Sequence, residues 1–260
     1  MLEGEIQKRL TTQSFGRRIF SFGSIDSTNT FAKSIAHDVE EGTLVIAEEQ
    51  TSGRGRPGRS WHSDKEKNLT FSIILAPNIS PEYAGVLSLY TAVAVAEALQ
   101  AQARLEVCCK WPNDIMISGK KCCGILSESV LQSGKVSSVV LGIGINVNQR
   151  DFPDEIRTSA TSLSLEAGRM FDRLDILVAV ILKLEEWYRF IRAGEYPQII
   201  DAWKSRAPMM GKTISVNYNG SVMIGIARRL DADGSLMFQS NGREMKLTAG
   251  DVSIVREYAT

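Results

Sequence analysis

Apolar positions along the chain switch between two periods, and the switches mark out its elements. After a short helical pattern over residues 3–10, residues 17–22 read as an entering strand. Ser24-Ile25-Asp26-Ser27-Thr28-Asn29 then leads into the helical stripe Phe31, Ala32, Ile35 and Ala36, with several side chains able to cap its start. Residues 43–50 and 69–76 are β-branched apolar runs, expected as neighbouring core strands. Ser80 is placed as a cap and Pro81 at the first position of a long alanine- and leucine-rich helix that runs to Gln102. A short strand over 105–110, an extended stretch over 115–117, a return strand over 122–129 and a strand over 136–147 follow, then helices over 174–191, begun by Asp172, and 196–206.

Near Gly211 the pattern changes. Residues 213–216, 221–230, 235–239, 244–247 and 252–256 alternate in period two, separated by the tight-turn pairs Asn219-Gly220, Asp233-Gly234 and Asn241-Gly242. The whole predicts an α+β protein: a mixed β-sheet flanked by helices over residues 1–210, and a small C-terminal β-barrel over 211–260.

Composition narrows the chemistry more than the fold. With 30 basic and 30 acidic residues in 260, no global field draws the chain to nucleic acid or an anionic membrane. Apolar runs such as residues 176–184 are too short to span a bilayer, and residues 1–18 lack a signal-peptide core, so a cytoplasmic protein is expected. The vicinal pairs Cys108-Cys109 and Cys122-Cys123 lack the usual zinc or redox spacing. A hairpin turning near Ser118-Gly119-Lys120 would set Cys122 opposite Met116, and the four thiols read as small buried hydrophobes.

The chemistry sits in Gly53-Arg54-Gly55-Arg56-Pro57-Gly58-Arg59, with Trp61 behind it. Glycines let backbone N–H groups approach a ligand, and guanidinium forks match phosphate or carboxylate oxygens in pairs. A solvated loop and a nucleic-acid contact are alternatives. Its place between two apolar strands favours a lid over a small-molecule phosphate. Only His37 and His62 are present, and nucleophile-elbow, metal-cluster, Walker and Rossmann patterns are missing. Arg54, Arg56, Arg59, Lys110 and Lys121 then suit a reaction that gathers and shifts negative charge: a phosphate attacked by a carboxylate, with pyrophosphate leaving. Ser27, Thr28 and Asn29 read either as caps or as partners of a neutral polar head group. The glycines of Gly142-Ile143-Gly144-Ile145-Asn146 allow close approach of an adenine or ribose.

Taken in order, Ser27-Thr28-Asn29, Gln50, the arginine loop with Trp61, Lys110-Trp111-Pro112-Asn113-Asp114, Lys121 with Gly124-Ile125-Leu126, and Gly142 to Asn146 resemble the motifs of biotin protein ligases, from about Arg17 onward. The resemblance implies a class II synthetase-like catalytic domain with an SH3-like C-terminal barrel. It implies ATP-dependent formation of biotinyl-5′-adenylate, then transfer of biotin to a lysine on the carrier domain of acetyl-CoA carboxylase or a related carboxylase. Ser27, Thr28, Asn29 and Gln50 would bind the ureido ring, Arg54, Gly55 and Arg56 would fold over biotin and phosphate, and Lys121 would neutralise the forming acyl phosphate. Arg56, Arg59, Lys110, Asn113, Asp114 and Asn146 would hold ATP, which carries its own magnesium, with no dedicated metal site. Lys120 could exchange roles with Lys121, Trp61 reads as an anchor of the loop, and Arg256 is left without a role. Cys122-Cys123 replace the usual aliphatic pair. Only 26 residues precede the Ser-Thr-Asn motif, so the winged helix-turn-helix of repressor members is not expected, nor is a nucleic-acid or membrane partner. An exposed sheet edge could pair two subunits. The nearest rival, a lipoate or octanoate ligase or transferase, would need an apolar tunnel where this chain has polar side chains.

Overall fold

The computed structural model describes residues 3–56, 58–132, 135–218 and 220–254. Pro57, Asn219, Val255 and Arg256, which enter the expectations above, lie outside the described residues.

Helix α1 (Glu3–Arg9) buries Ile6 and leads to strand β1 (Ile19–Phe22). Helix α2 (Thr28–Ile35) begins at an N-cap serine: the Ser27 hydroxyl accepts from Thr30 N at 3.4 Å. Strands β2 (Leu44–Ala47) and β3 (Leu69–Leu75) are buried at every position, as unbroken apolar runs require, and pair antiparallel. Ser80 makes no capping bond, contrary to expectation: Pro81 opens a separate 3₁₀ turn, Pro81–Tyr83, before α3 (Ala84–Ala103). Strands β4 (Cys108–Lys110), β5 (Asp114–Ile117), β6 (Lys120–Gln132) and β7 (Lys135–Ile145) follow as consecutive antiparallel neighbours. A short helix α4 (Leu163–Ala167), capped by Ser162, precedes α5 (Arg173–Ala193), capped by Asp172, and α6 (Tyr196–Ser205).

The main sheet has the order β1-β2-β3-β7-β6-β5-β4, and only β1 and β2 run parallel. Helices α3, α5 and α6 pack together on one face, while α2 lies on the other over β2, β3 and β7. By length and composition Pro81–Ala103 is apolar enough to cross a membrane, which corrects the expectation that every apolar run is too short. Here it is the central core helix, with Leu87, Tyr90, Val93 and Leu99 wholly buried.

A register shift between Ile115 and Met116 overturns one cysteine expectation. Met116 pairs with Lys121 and Ile115 with Cys123, so Cys122 does not face Met116; Cys108 does. All four thiols are free, and Cys109, Cys122 and Cys123 are buried, which pushes the Cys109 thiol up to about 12. Those three pack in the core as small hydrophobes, whereas Cys108 is half-buried beside Glu106, contrary to expectation.

Strands β8 (Thr213–Tyr218), β9 (Ser221–Leu230), β10 (Leu236–Ser240), β11 (Arg243–Leu247) and β12 (Asp251–Ile254) realise the period-two segments almost residue for residue. Their order is β11-β10-β9-β8-β12, so among the described residues they form an open antiparallel sheet and not the closed barrel expected. Strand β11 buries only Leu247 and offers little apolar surface for closure. The β9–β10 turn docks on the main module: Trp111 Nε1 donates to Gly234 O at 3.1 Å, and a Cβ on Gly85 would fall 2.7 Å from Asp233 O.

Glu41, in the turn before β2, ties the sheet to α5. It accepts from Ala76 N at 3.0 Å, from Arg192 Nη2 at 2.5 Å and from the Tyr188 hydroxyl. Burial works to raise its pKa, but the three donors outweigh burial and hold it below the usual carboxylate range. A lowered folded-state pKa means stability that is present above the unfolded value and lost as pH falls through the folded one. Glu41→Gln should therefore lower stability at pH 7 by about 1–2 kcal/mol, with the gap closing below about pH 4. Urea midpoints at a series of pH values check this; a gap of constant size down to pH 3 would refute it.

Candidate active site

A single cavity of about 1030 Å³ gathers the groups that the sequence singled out. Ser27, Thr28, Asn29, Gln50, Arg54, Gly55, Arg56, Arg59, Lys110, Asn113, Asp114, Lys121 and Asn146 all line it, although they come from six separate stretches of chain. Lys120, the alternative to Lys121, is exposed and does not line it.

The floor is made where strands lack side chains. Gly124 on β6 and Gly144 on β7 face each other in register, and Gly142 lies between Ser72 and Leu126. A Cβ on Gly144 would fall 2.3 Å from Trp61 Cε2, and one on Gly142 would fall 2.2 Å from Asn29 Oδ1. The glycines therefore seat the Trp61 indole and the Asn29 amide directly on the backbone. Trp61 is the loop anchor that its spacing suggests: Trp61 N donates to Gly53 O at 2.9 Å and Gly55 N to Arg59 O at 3.0 Å, folding the loop as a small hairpin.

At one end of the cavity the side chains are neutral and polar. Gln50 Oε1 accepts from Thr28 N at 2.8 Å and lies 3.1 Å from Thr28 Oγ1; the Ser72 hydroxyl lies 2.8 Å from Thr28 Oγ1 and 2.6 Å from Asn29 Oδ1. Only Ser27 is a cap; Thr28 and Asn29 belong to this polar row.

Four of the five cations meet a carboxylate, Arg54 beside the polar row and Arg56, Arg59 and Lys121 away from it. Arg54 Nη2 lies 3.1 Å from Glu128 Oε1, Arg59 Nη2 lies 2.6 Å from Asp251 Oδ2, and Arg56 pairs with Asp251 while donating to Gly250 O at 2.8 Å. Lys121 Nζ lies 2.6 Å from Asp114 Oδ1 and 5.9 Å from the Trp61 ring centroid. Burial pulls the Lys110 ammonium below the usual lysine range, and Lys121 and Arg56 push the same way against Asp114 and Asp251. Burial alone would raise the pKa of Asp251, yet the charges of Arg56 and Arg59 hold it low.

Between these ends two amides are half used. Asn113 Nδ2 donates to Ile125 O at 2.6 Å and Asn146 Nδ2 to Thr161 O at 3.0 Å, while the Oδ1 of each is buried without a hydrogen-bond partner. Trp61 Nε1 is buried and unpartnered beside them. Both amide oxygens belong to residues that line the cavity and are left able to accept. Among the described residues, no three His, Cys, Asp or Glu side chains are grouped to hold a metal ion.

Several groups of the site were not foreseen: Asp251 lines the cavity, while Glu128 and Ser72 stand behind it and bond to Asn29, which does. Glu128 and Asp251 are ordinary strand acids by spacing, and Ser72 is one polar residue in an apolar run. The wall formed by Phe152, Pro153, Glu155, Ile156, Ser159 and Ala160 belongs to a long irregular connector, pinned by Lys121 N donating to Ser159 O at 2.7 Å. Its length without regular structure was the available signal, since such loops in compact domains are commonly functional.

Residues 21–146 match the family model described as the biotin/lipoate A/B protein ligase family. The chain is 37% identical over 255 residues to the bifunctional ligase/repressor BirA of Bacillus subtilis (strain 168), covering 97% of this chain and 78% of the relative. It is 30% identical to the biotin–[acetyl-CoA-carboxylase] ligase of Paracoccus denitrificans, over 87% of this chain and 96% of that protein. Its fold matches the biotin protein ligase from Aquifex aeolicus in complex with biotin and ATP with a TM-score of 0.80 at 29% identity, covering 93% of this chain and all of the other.

The seat of Trp61 yields a direct expectation. Gly144→Ala should push the indole off the floor and shift its emission to longer wavelength with the fold retained, and the shift should vanish in a Trp61→Phe background. An unchanged spectrum in Gly144→Ala would show that the loop is not seated on this glycine.

Proposed function

The chain belongs to the biotin protein ligase family, and we propose from that premise that this cavity joins biotin to ATP and passes the acyl group to a protein lysine. The enzyme is an ATP-dependent biotin ligase. One observation carries the assignment of the cavity: a neutral polar row, a set of cations and two unpartnered amide oxygens share one space, as biotin's ureido ring, two reacting anions and an adenine amine require. The polar row favours biotin over a lipoyl chain, which has no such head group to satisfy it.

In the first step an oxygen of the biotin carboxylate attacks the α-phosphorus of ATP, the bond to the bridging oxygen breaks, and pyrophosphate leaves with the electron pair. Both reactants are anions, and ATP enters as its magnesium complex. Arg54 and Arg56 lower their mutual repulsion, and Lys121 lies where charge develops on the forming acyl phosphate. Arg59 and Lys110 take phosphate oxygens, and Asp114 holds Lys121 in place at 2.6 Å. Asn113 Oδ1 and Asn146 Oδ1 accept from the exocyclic amine of adenine, which has two N–H bonds to give. Contrary to the expectation from their spacing, Gly142 and Gly144 are covered by the Asn29 amide and the Trp61 indole, so the nucleotide meets those side chains and not the strand backbone.

In the second step a lysine ε-amine attacks the acyl carbon, the carbon–oxygen bond to phosphate breaks, AMP leaves and the amine sheds its proton. No covalent bond to the enzyme is needed. The acceptor is a biotin carboxyl carrier domain of acetyl-CoA carboxylase or a related carboxylase, and neither nucleic acid nor a membrane enters either step. Residues 1–210 form the catalytic unit and 211–260 an accessory β unit that reaches it through Asp251. A supply of ATP and carboxylase substrate suits the cytoplasm.

Biotin-dependent exchange of pyrophosphate into ATP tests the first step, and the mass gain of a carrier domain incubated with enzyme, biotin and magnesium ATP tests the second. Exchange supported by lipoate and not by biotin would overturn the assignment. Lys121→Ala should slow adenylate formation on the order of a hundredfold, the scale for removing one preorganised charge-stabilising group; a normal first step with a defective second would show that the lysine acts elsewhere. Arg56→Ala should release the adenylate at least about tenfold faster, since charge-assisted contacts are lost, measured by retention of labelled intermediate on a filter.

A further inference from the structure

We propose that Glu128 is a positioning residue that fixes which way the Asn29 amide faces and ties Arg54 to the head-group end of the cavity, so that loop closure and recognition of biotin are coupled. This rests on the biotin-ligase reading of the site. Glu128 lies on β6, outside every motif noted in the sequence, yet three donors from two elements, helix α2 and the arginine loop, converge on it. Its Oε2 accepts from Asn29 Nδ2 at 2.9 Å, and its Oε1 accepts from Lys33 Nζ at 2.7 Å and Arg54 Nη2 at 3.1 Å. The side chain is only 17% exposed.

The chemistry of the acceptor gives the row its polarity. An ionised carboxylate only accepts, so the nitrogen of Asn29 must turn to Glu128. The Asn29 amide sits over Gly142, and with its nitrogen on Glu128 its oxygen accepts from the Ser72 hydroxyl at 2.6 Å. Ser72 in turn lies 2.8 Å from Thr28 Oγ1, and Thr28 N occupies Gln50 Oε1 at 2.8 Å, which leaves Gln50 Nε2 as a donor to the cavity. One acid at the end of this row thus orients Asn29 and, through it, the hydroxyls that meet a ureido ring. The same acid holds the loop through Arg54. Burial alone would raise the pKa of Glu128, but the hydrogen bonds from Lys33 and Asn29 and the charges of Lys33 and Arg54 outweigh it, so the group stays ionised.

A purely structural ion pair between Lys33 and Glu128 would affect neither biotin affinity nor the loop. The test uses the full chain, biotin-dependent pyrophosphate exchange at saturating ATP, and trypsin cleavage after Arg54 without biotin. Glu128→Gln should raise the KM for biotin on the order of tenfold, the scale of one charge-assisted hydrogen bond, with kcat within about threefold of the parent. Trypsin should cut the loop faster in that variant, and Glu128→Asp, which keeps the charge on a shorter arm, should fall between it and the parent. Wild-type KM and wild-type cleavage in Glu128→Gln overturn the proposal, as does a fall in kcat at unchanged KM. Should Glu128→Gln fail to fold, wild-type behaviour of Glu128→Asp in both assays overturns it. A parent enzyme that shows no exchange with biotin would sink the biotin reading itself, a separate outcome.

Discussion

Like charges set the terms of this site. Five cations, Arg54, Arg56, Arg59, Lys110 and Lys121, face one cavity in a chain whose formal charge is zero. Two unit charges 4 Å apart interact by about 4 kcal/mol at the effective dielectric of a protein surface, so such a cluster repels itself unless it is countered. Glu128, Asp114 and Asp251 counter it, at distances of 2.6–3.1 Å from Lys121, Arg59 and Arg54. The basic groups are thereby kept close to one another within a single cavity.

The second constraint is room, and it is met by omission of side chains. The main sheet buries β2 and β3 at every position, so a cavity on its surface has to be cut by leaving Cβ atoms out. Gly124, Gly142 and Gly144 do this on two adjacent strands. The space they open is used twice: the Asn29 amide and the Trp61 indole rest on it, and the orphaned Asn113 and Asn146 oxygens border it. Glycine weakens a strand, but β6 and β7 lie inside the sheet, paired on both sides, where neighbouring strands hold them.

Long periodic segments were readable in advance because their burial is one-sided and repetitive: β2, β3, α5 and all five C-terminal strands lie within a few residues of their sequence patterns. In the candidate site the arginine loop was legible from residue type alone, whereas Ser27, Thr28 and Asn29 stayed open between caps and head-group partners, and Lys121 was set apart from Lys120 only by the family motif. Features set by tertiary register were not. The shift at Ile115 and Met116 moved Cys122 away from Met116, and no local signal announces a bulge. Glu128 and Asp251 look like solvent-facing acids on their strands, and only pairing across the fold shows that they meet loop arginines from 74 and 192 residues away in sequence. Closure of the C-terminal strands was over-read, since alternation gives the strands but not whether the first and last meet.

How the loop comes to be registered against the C-terminal sheet follows from one tryptophan. Trp111 is 2% exposed and directly follows Lys110 in the β4–β5 hairpin, so its position is fixed with that of the cavity cations. Its indole donates to Gly234 O, and a Cβ on Gly250 would fall 3.6 Å from its Cζ3. The same ring therefore touches the β9–β10 turn and the residue before Asp251. Gly250 accepts from Arg56, and Asp251 pairs with Arg56 and Arg59. A displacement of the C-terminal sheet would have to move off Trp111 and carry away the carboxylate that holds two loop arginines. The sheet is thus part of the site's electrostatics, and the loop's closed geometry is measured from the hairpin that also delivers Lys110, Asn113 and Asp114.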